Sequence, residues 1–97
     1  MTAALGDIAA YLESLLAISS TPDYPPALNG VQVGHRGPVR RIAAAVDASQ
    51  RTIAMAAAAD ANLLLVHHGL FWSGLRPLTG PHETRIRTLF AHDIAVY

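Results

Sequence analysis

The sequence predicts an α/β fold, a mixed and largely parallel sheet flanked by helices, within one domain over residues 1–97. Three observations predict it. First, Leu63-Leu64-Leu65-Val66 is a run of aliphatics bounded by Asp60-Ala61-Asn62 and Gly69, which reads as a short strand buried on both faces. Such strands belong to parallel sheets covered by helices. Second, the apolar stretch from Val39 to Val46 ends at Asp47 and is followed by Ser49 and an alanine-rich segment. Strand, helix and the Leu63 strand then make a right-handed βαβ unit. Third, Leu5, Ile8, Ala9, Leu12, Leu15 and Leu16 fall on one stripe of a 3.6-residue helix, with Asp7 and Glu13 off it.

Taken in order, the first helix ends at Ser19-Ser20-Thr21-Pro22, and Pro25-Pro26 keeps the next segment extended and irregular on the surface. Asn29-Gly30 signals a turn, Val31-Gln32-Val33 alternates like a half-buried strand, and Gly34-His35-Arg36-Gly37-Pro38 makes a hairpin-like connection into the Val39 strand. Ser49 is placed to cap a helix from Gln50 to about Ala59 that turns Ile53 and Ala57 inward, and Asn62 to end it in the left-handed conformation. Leu70-Phe71-Trp72-Ser73-Gly74-Leu75 is too apolar for an ordinary exposed loop and is expected in the core or a subunit contact. Gly80-Pro81 starts a helix that carries Ile86, Leu89 and Phe90 inward, with His82 and His92 solvated at its ends. Ile94-Ala95-Val96-Tyr97 reads as a buried strand at a sheet edge, and edges invite pairing with other chains.

Composition narrows the function classes. With 52% hydrophobic and 14% charged residues, the chain is poorer in charge than a typical domain at about 25%, and some apolar surface is expected to need a partner. No apolar run approaches the roughly 20 residues of a membrane span, and Met1-Thr2-Ala3-Ala4 lacks a basic leader, so a cytoplasmic location is expected. The chain has no cysteine, so any metal ligands are nitrogen and oxygen donors. All seven basic residues are arginine and the formal charge is zero, which leaves no overall basic footprint for nucleic acid. Arg36, Arg40 and Arg41 cluster, as a solvated face or against a phosphate.

The candidate site is His67-His68, delivered at the carboxyl end of the Leu63 strand, where ligands bind in open α/β sheets. Successive strand residues point to opposite faces, so the two imidazoles share a site only if the strand ends there, and Gly69 lets it end. They read either as metal ligands for one or two ions or as two hydrogen-bonded histidines at a strand terminus. If the two strands are neighbours, Asp47 and His67 sit at adjacent tips. Asp47 is then the carboxylate that accepts the free ring N–H of a liganding histidine, or else a helix N-terminal carboxylate favoured by the macrodipole.

Taken together, Asn29-Gly30-Val31-Gln32-Val33-Gly34, Val46-Asp47-Ala48-Ser49, Leu63 to His68 with Gly69-Leu70-Phe71-Trp72, and Ile94-Ala95-Val96-Tyr97 resemble, in order and spacing, the dinuclear-metal-centre family of the YbgI type. That family is also called Ngg-one-interacting-factor-three-like, or Nif3-like, and is often labelled type 2 GTP cyclohydrolase I. The resemblance runs from Leu5 to Tyr97 and implies the amino-terminal half of a Nif3-like fold, within a longer two-half protein. It makes His67 and His68 metal ligands. The family's further ligands are an aspartate shortly after the strand matching Ile94 to Tyr97 and a histidine and glutamate near the end of a much longer chain. Where the family often has proline after the histidine pair, this chain has Gly69. The resemblance also implies two divalent ions per complete protein (Zn, Fe, Mn, Co or Ni) and a homo-oligomer, a hexameric ring in bacterial members. The function expected is metal binding, with metal-dependent hydrolysis through a metal-bridging water on an unknown small-molecule substrate. The alternative is a non-catalytic metal-delivery or ring-scaffold protein. No phosphate-cradling GxxxxGK[ST] loop is present.

Overall fold

Ten apolar side chains form the larger of two cores in a computed structural model that describes residues 1–97. The organising element is a parallel sheet in the order β3-β4-β5, with β3 at Ile42–Asp47, β4 at Leu63–His68 and β5 at Ala95–Val96. The crossovers are α2, Gln50–Ala58, and α3, Gly80–Ala91. Ile53 and Ala56 of α2 and Leu89 of α3 pack with Leu64 and Val96 in the larger core, so both crossover helices cover one face of the sheet. The other face is covered by α1, Leu5–Leu16. Its Leu5, Ile8, Ala9 and Leu12 pack on Val39, Leu63, Ala95 and Tyr97. Alternation along β4 therefore sends Leu64 and Val66 to the larger core and Leu63 and Leu65 to the smaller, as a strand buried on both faces requires.

The local chemistry explains the elements. Ser49 caps α2 reciprocally: its Oγ accepts from the Thr52 N–H at 3.1 Å and the Thr52 hydroxyl accepts from the Ser49 N–H at 3.0 Å, which satisfies two otherwise orphaned donors. Arg41 caps the other end by donating to the Ala59 carbonyl at 2.7 Å, and Arg40 pairs with Asp60 at 2.6 Å. Two of the clustered arginines thus serve the helix terminus rather than a phosphate.

Several expectations are corrected. Asp60, not Asn62, takes the left-handed conformation after α2, at φ 57°. Asn62 is buried instead, and its amide joins three strands' ends: Oδ1 accepts from the Arg40 N–H at 3.0 Å, and Nδ2 donates to the Pro38 carbonyl at 2.9 Å. The hairpin-like connection is absent, because β2, Pro38–Val39, pairs antiparallel with β1, Ala3–Ala4. Val31 to Val33 contributes only an antiparallel bridge from Val33 to Val96, which covers the outer side of β5 and leaves β3 as the open edge. On α3, Phe90 faces solvent at 60% exposure while His82 is buried, the reverse of the sequence expectation. No helix is long and apolar enough to cross a membrane.

Candidate metal centre

The register of β3 against β4 places Asp47 opposite His68 at the carboxyl tips of the two strands. The expected neighbour was His67, so the carboxylate serves the second histidine of the pair rather than the first. His68 Nδ1 lies 3.2 Å from Asp47 Oδ1. With the proton on Nδ1 the carboxylate accepts it, which holds the ring's orientation and turns the Nε2 lone pair outward. Both side chains are half exposed, so the pair orients the ring without contributing much stability.

The two imidazoles converge although they are consecutive. Their ring centroids are 4.4 Å apart and tilted by 47°, at the last two residues of β4. Trp72 lies against His68 with centroids 5.2 Å apart. Both histidines are exposed, and both line a cavity of about 430 Å³ whose wall includes Leu16, Ile18, Asp23, Tyr24, Leu28 and Tyr97. That is the size of a small-molecule site.

Asp23, which the sequence reading passed over as part of a surface loop, is the carboxylate in this wall. Its Oδ1 accepts from the Tyr24 N–H at 2.7 Å and its Oδ2 from the Asn29 amide at 3.1 Å. These two bonds hold it below the usual carboxylate range, and the nearby His67 and His68 lower it slightly further. The Tyr97 hydroxyl is buried without a partner, and burial, followed by the Glu13 carboxylate, pushes it above the ordinary phenol value. No arginine lines the cavity.

The donor chemistry suits a divalent ion in part. Two imidazoles presented side by side offer nitrogen donors of the kind that zinc, iron, manganese, cobalt or nickel take. Nowhere in the chain do three histidine, aspartate or glutamate side chains converge to hold an ion. Two histidines alone fall short of the four ligands of a closed structural zinc site and the three of a catalytic one.

Leu70 to Leu75 divides between core and solvent: Leu70 is buried, Phe71 packs on the larger core, and Trp72 and Leu75 are exposed. Of the remaining histidines, His35 Nε2 meets the Asn62 carbonyl at 2.8 Å and His92 Nδ1 meets the Thr88 carbonyl at 3.0 Å. Neither reaches the cavity.

Comparison with known proteins matches residues 3–97 to the model of Duf34/NIF3 (NGG1p interacting factor 3). A Deinococcus radiodurans protein called GTP cyclohydrolase 1 type 2 homolog is 45% identical over 91 residues, which is 94% of this chain and 34% of that protein. A Treponema pallidum protein of the same name is 46% identical over 92 residues, 94% of this chain and 32% of that one. The chain therefore spans about a third of the length of these relatives. Among solved structures, TTHA1606 from Thermus thermophilus superimposes with a TM-score of 0.87 at 39% identity, over 95% of this chain and 38% of that one.

Proposed function

The chain belongs to the Duf34/NIF3 family, and from that premise we propose that it carries the imidazole half of a divalent-metal site, with His67 and His68 as ligands. The observation that carries this reading is the convergence of the two exposed rings, 4.4 Å apart, at the strand tip. Asp47 fixes the His68 ring through Nδ1. The remaining donors would be the aspartate, histidine and glutamate that the family resemblance implies for a complete two-half protein. The same resemblance implies a homo-oligomer, a hexameric ring in bacterial members.

For activity we propose a metal-dependent hydrolase. Bound divalent ions supply Lewis acidity toward a phosphoryl or acyl oxygen. The chain's own part is to present the ligands and to hold a small substrate in the cavity beside them. The relatives' name makes GTP one substrate to try, yet no arginine lines the cavity and the chain has no lysine. The alternative, metal delivery without turnover, draws support from the exposure of both rings, which suits an ion that exchanges.

Elemental analysis tests the ligand assignment, on the purified chain, a His67→Ala/His68→Ala variant and a version continued past Tyr97. Stoichiometric metal that the variant loses supports it; metal retained by a folded variant overturns it. Metal-dependent cleavage of phosphoesters or cyclic amides that the same substitutions abolish supports hydrolysis, and exchangeable metal without turnover supports delivery.

A further inference from the structure

Of the motifs in the sequence, Asn29 to Gly34 has no part in the proposed chemistry, because none of its side chains is a metal ligand. It nevertheless runs beside the histidine tip. Gln32 is anchored to β5, its N–H donating to the Val96 carbonyl at 2.8 Å. Its side chain then reaches the backbone that follows the histidines. Oε1 accepts from the Leu70 N–H at 2.7 Å and from the Phe71 N–H at 3.3 Å, while Nε2 donates to the Leu28 carbonyl at 2.7 Å. The Leu28 N–H returns a bond to the Phe71 carbonyl at 3.1 Å.

Gly69 completes the arrangement. A Cβ at that position would overlap the Gln32 carboxamide, and the amide has little room to yield, since its three hydrogen bonds hold it. A glycine at this point lets the chain turn off β4 with the amide packed against its Cα.

We propose that Gln32 is the positioning residue of the His67–His68 pair. The inference rests on the reading of that pair as metal ligands, and it assigns the motif its purpose. His68 is the last residue of β4, so the backbone that follows it bears on where its ring lies. The Gln32 amide captures the first two N–H groups after Gly69, stops the strand at His68, and sets Trp72 against the His68 ring. Gln32 touches neither imidazole through a hydrogen bond and acts through residues 69 to 72.

The test uses the full chain with Gln32→Leu, which keeps the side chain's bulk and removes all three hydrogen bonds, and Gln32→Glu, which keeps the two acceptor bonds. Two readouts are taken: Co²⁺ affinity with its ligand-field spectrum, and nuclear Overhauser contacts among the His67, His68 and Trp72 rings without metal. Gln32→Leu is expected to weaken Co²⁺ by about tenfold, the lower end for losing a group that orients ligands, to change the spectrum, and to lose the His68–Trp72 contacts. Gln32→Glu is expected to restore most of each. A folded Gln32→Leu chain with unchanged ring contacts, affinity and spectrum overturns the proposal. If neither the unsubstituted chain nor a version continued past Tyr97 holds Co²⁺, the ligand reading fails and the ring contacts alone decide the positioning role. If Gln32→Leu does not fold, Gly69→Ala decides it with the same readouts, since it leaves Gln32 intact and displaces its amide.

Discussion

His82 sits in the first turn of α3 with 1% of its surface exposed, and neither ring nitrogen has a hydrogen-bond partner. Its ring meets Phe71 edge-on at 5.0 Å. Burial pushes its pKa below 6.5, and the cationic Arg76 and Arg85 push the same way. The unfolded chain therefore takes up a proton at higher pH than the folded chain does. Stability conferred by neutral His82 is present above pH 6.5 and is lost as pH falls from there through the lowered folded value. His82→Leu should flatten this part of the profile, so that the variant's melting temperature falls less steeply than the parent's between pH 7 and pH 5. Parallel curves over that range would contradict it. This residue also marks a limit of sequence reading. A histidine one position after a helix-starting proline looks solvated, and only the path of the Phe71 loop buries it. Asp23 was hidden for the same reason, because an irregular loop gives no period from which to predict what it faces. That His67, His68 and Asp47 lie at strand tips was legible from the strand pattern, whereas the register that pairs Asp47 with His68 rather than His67 was not.

At the scale of elements, the βαβ unit holds Asp47 and His68 in register, and α2 depends on a single capping box for its entry. Thr52 ties that box to the site, its hydroxyl donating to the Asp47 carbonyl at 2.7 Å. Ser49→Ala should cost about 1 kcal/mol, read as roughly 4–8 °C in melting temperature for a domain of this size. Metal content should not change, because the β3–β4 register does not depend on the cap. Loss of metal with retained melting temperature would show that the cap serves the site and not the helix. The cap, the helices and the buried β4 were readable from residue type and period. The pairing of β1 with β2 was not, since two-residue strands are too short to show alternation. Nor was the role of Asn62, whose amide looked like a turn signal and is a buried cross-link between segments.

The whole molecule is covered unevenly. On the side of α2 and α3 the sheet is closed, whereas α1 lies over β4 and β5 and leaves β3 bare. Ile42 is 50% and Val46 66% exposed on that side, and an apolar groove of about 340 Å³ runs between α1 and β3 past Tyr11. The same strand is the open edge of the sheet, with backbone donors and acceptors free to pair. Part of the apolar surplus of the composition is thus exposed along one edge, in a chain that spans about a third of its relatives' length. An exposed apolar edge strand is a template for association, and an edge lysine blocks it by keeping its charge in water. The 97-residue chain should therefore associate with rising concentration in sedimentation velocity, and Val46→Lys should shift it toward monomer. Because Val46 is already largely in water, the substitution should change stability by no more than about 0.5 kcal/mol. Unaltered association in a folded Val46→Lys chain would move the contact away from this edge and onto the exposed end of α1, where Leu15 and Leu16 are also uncovered.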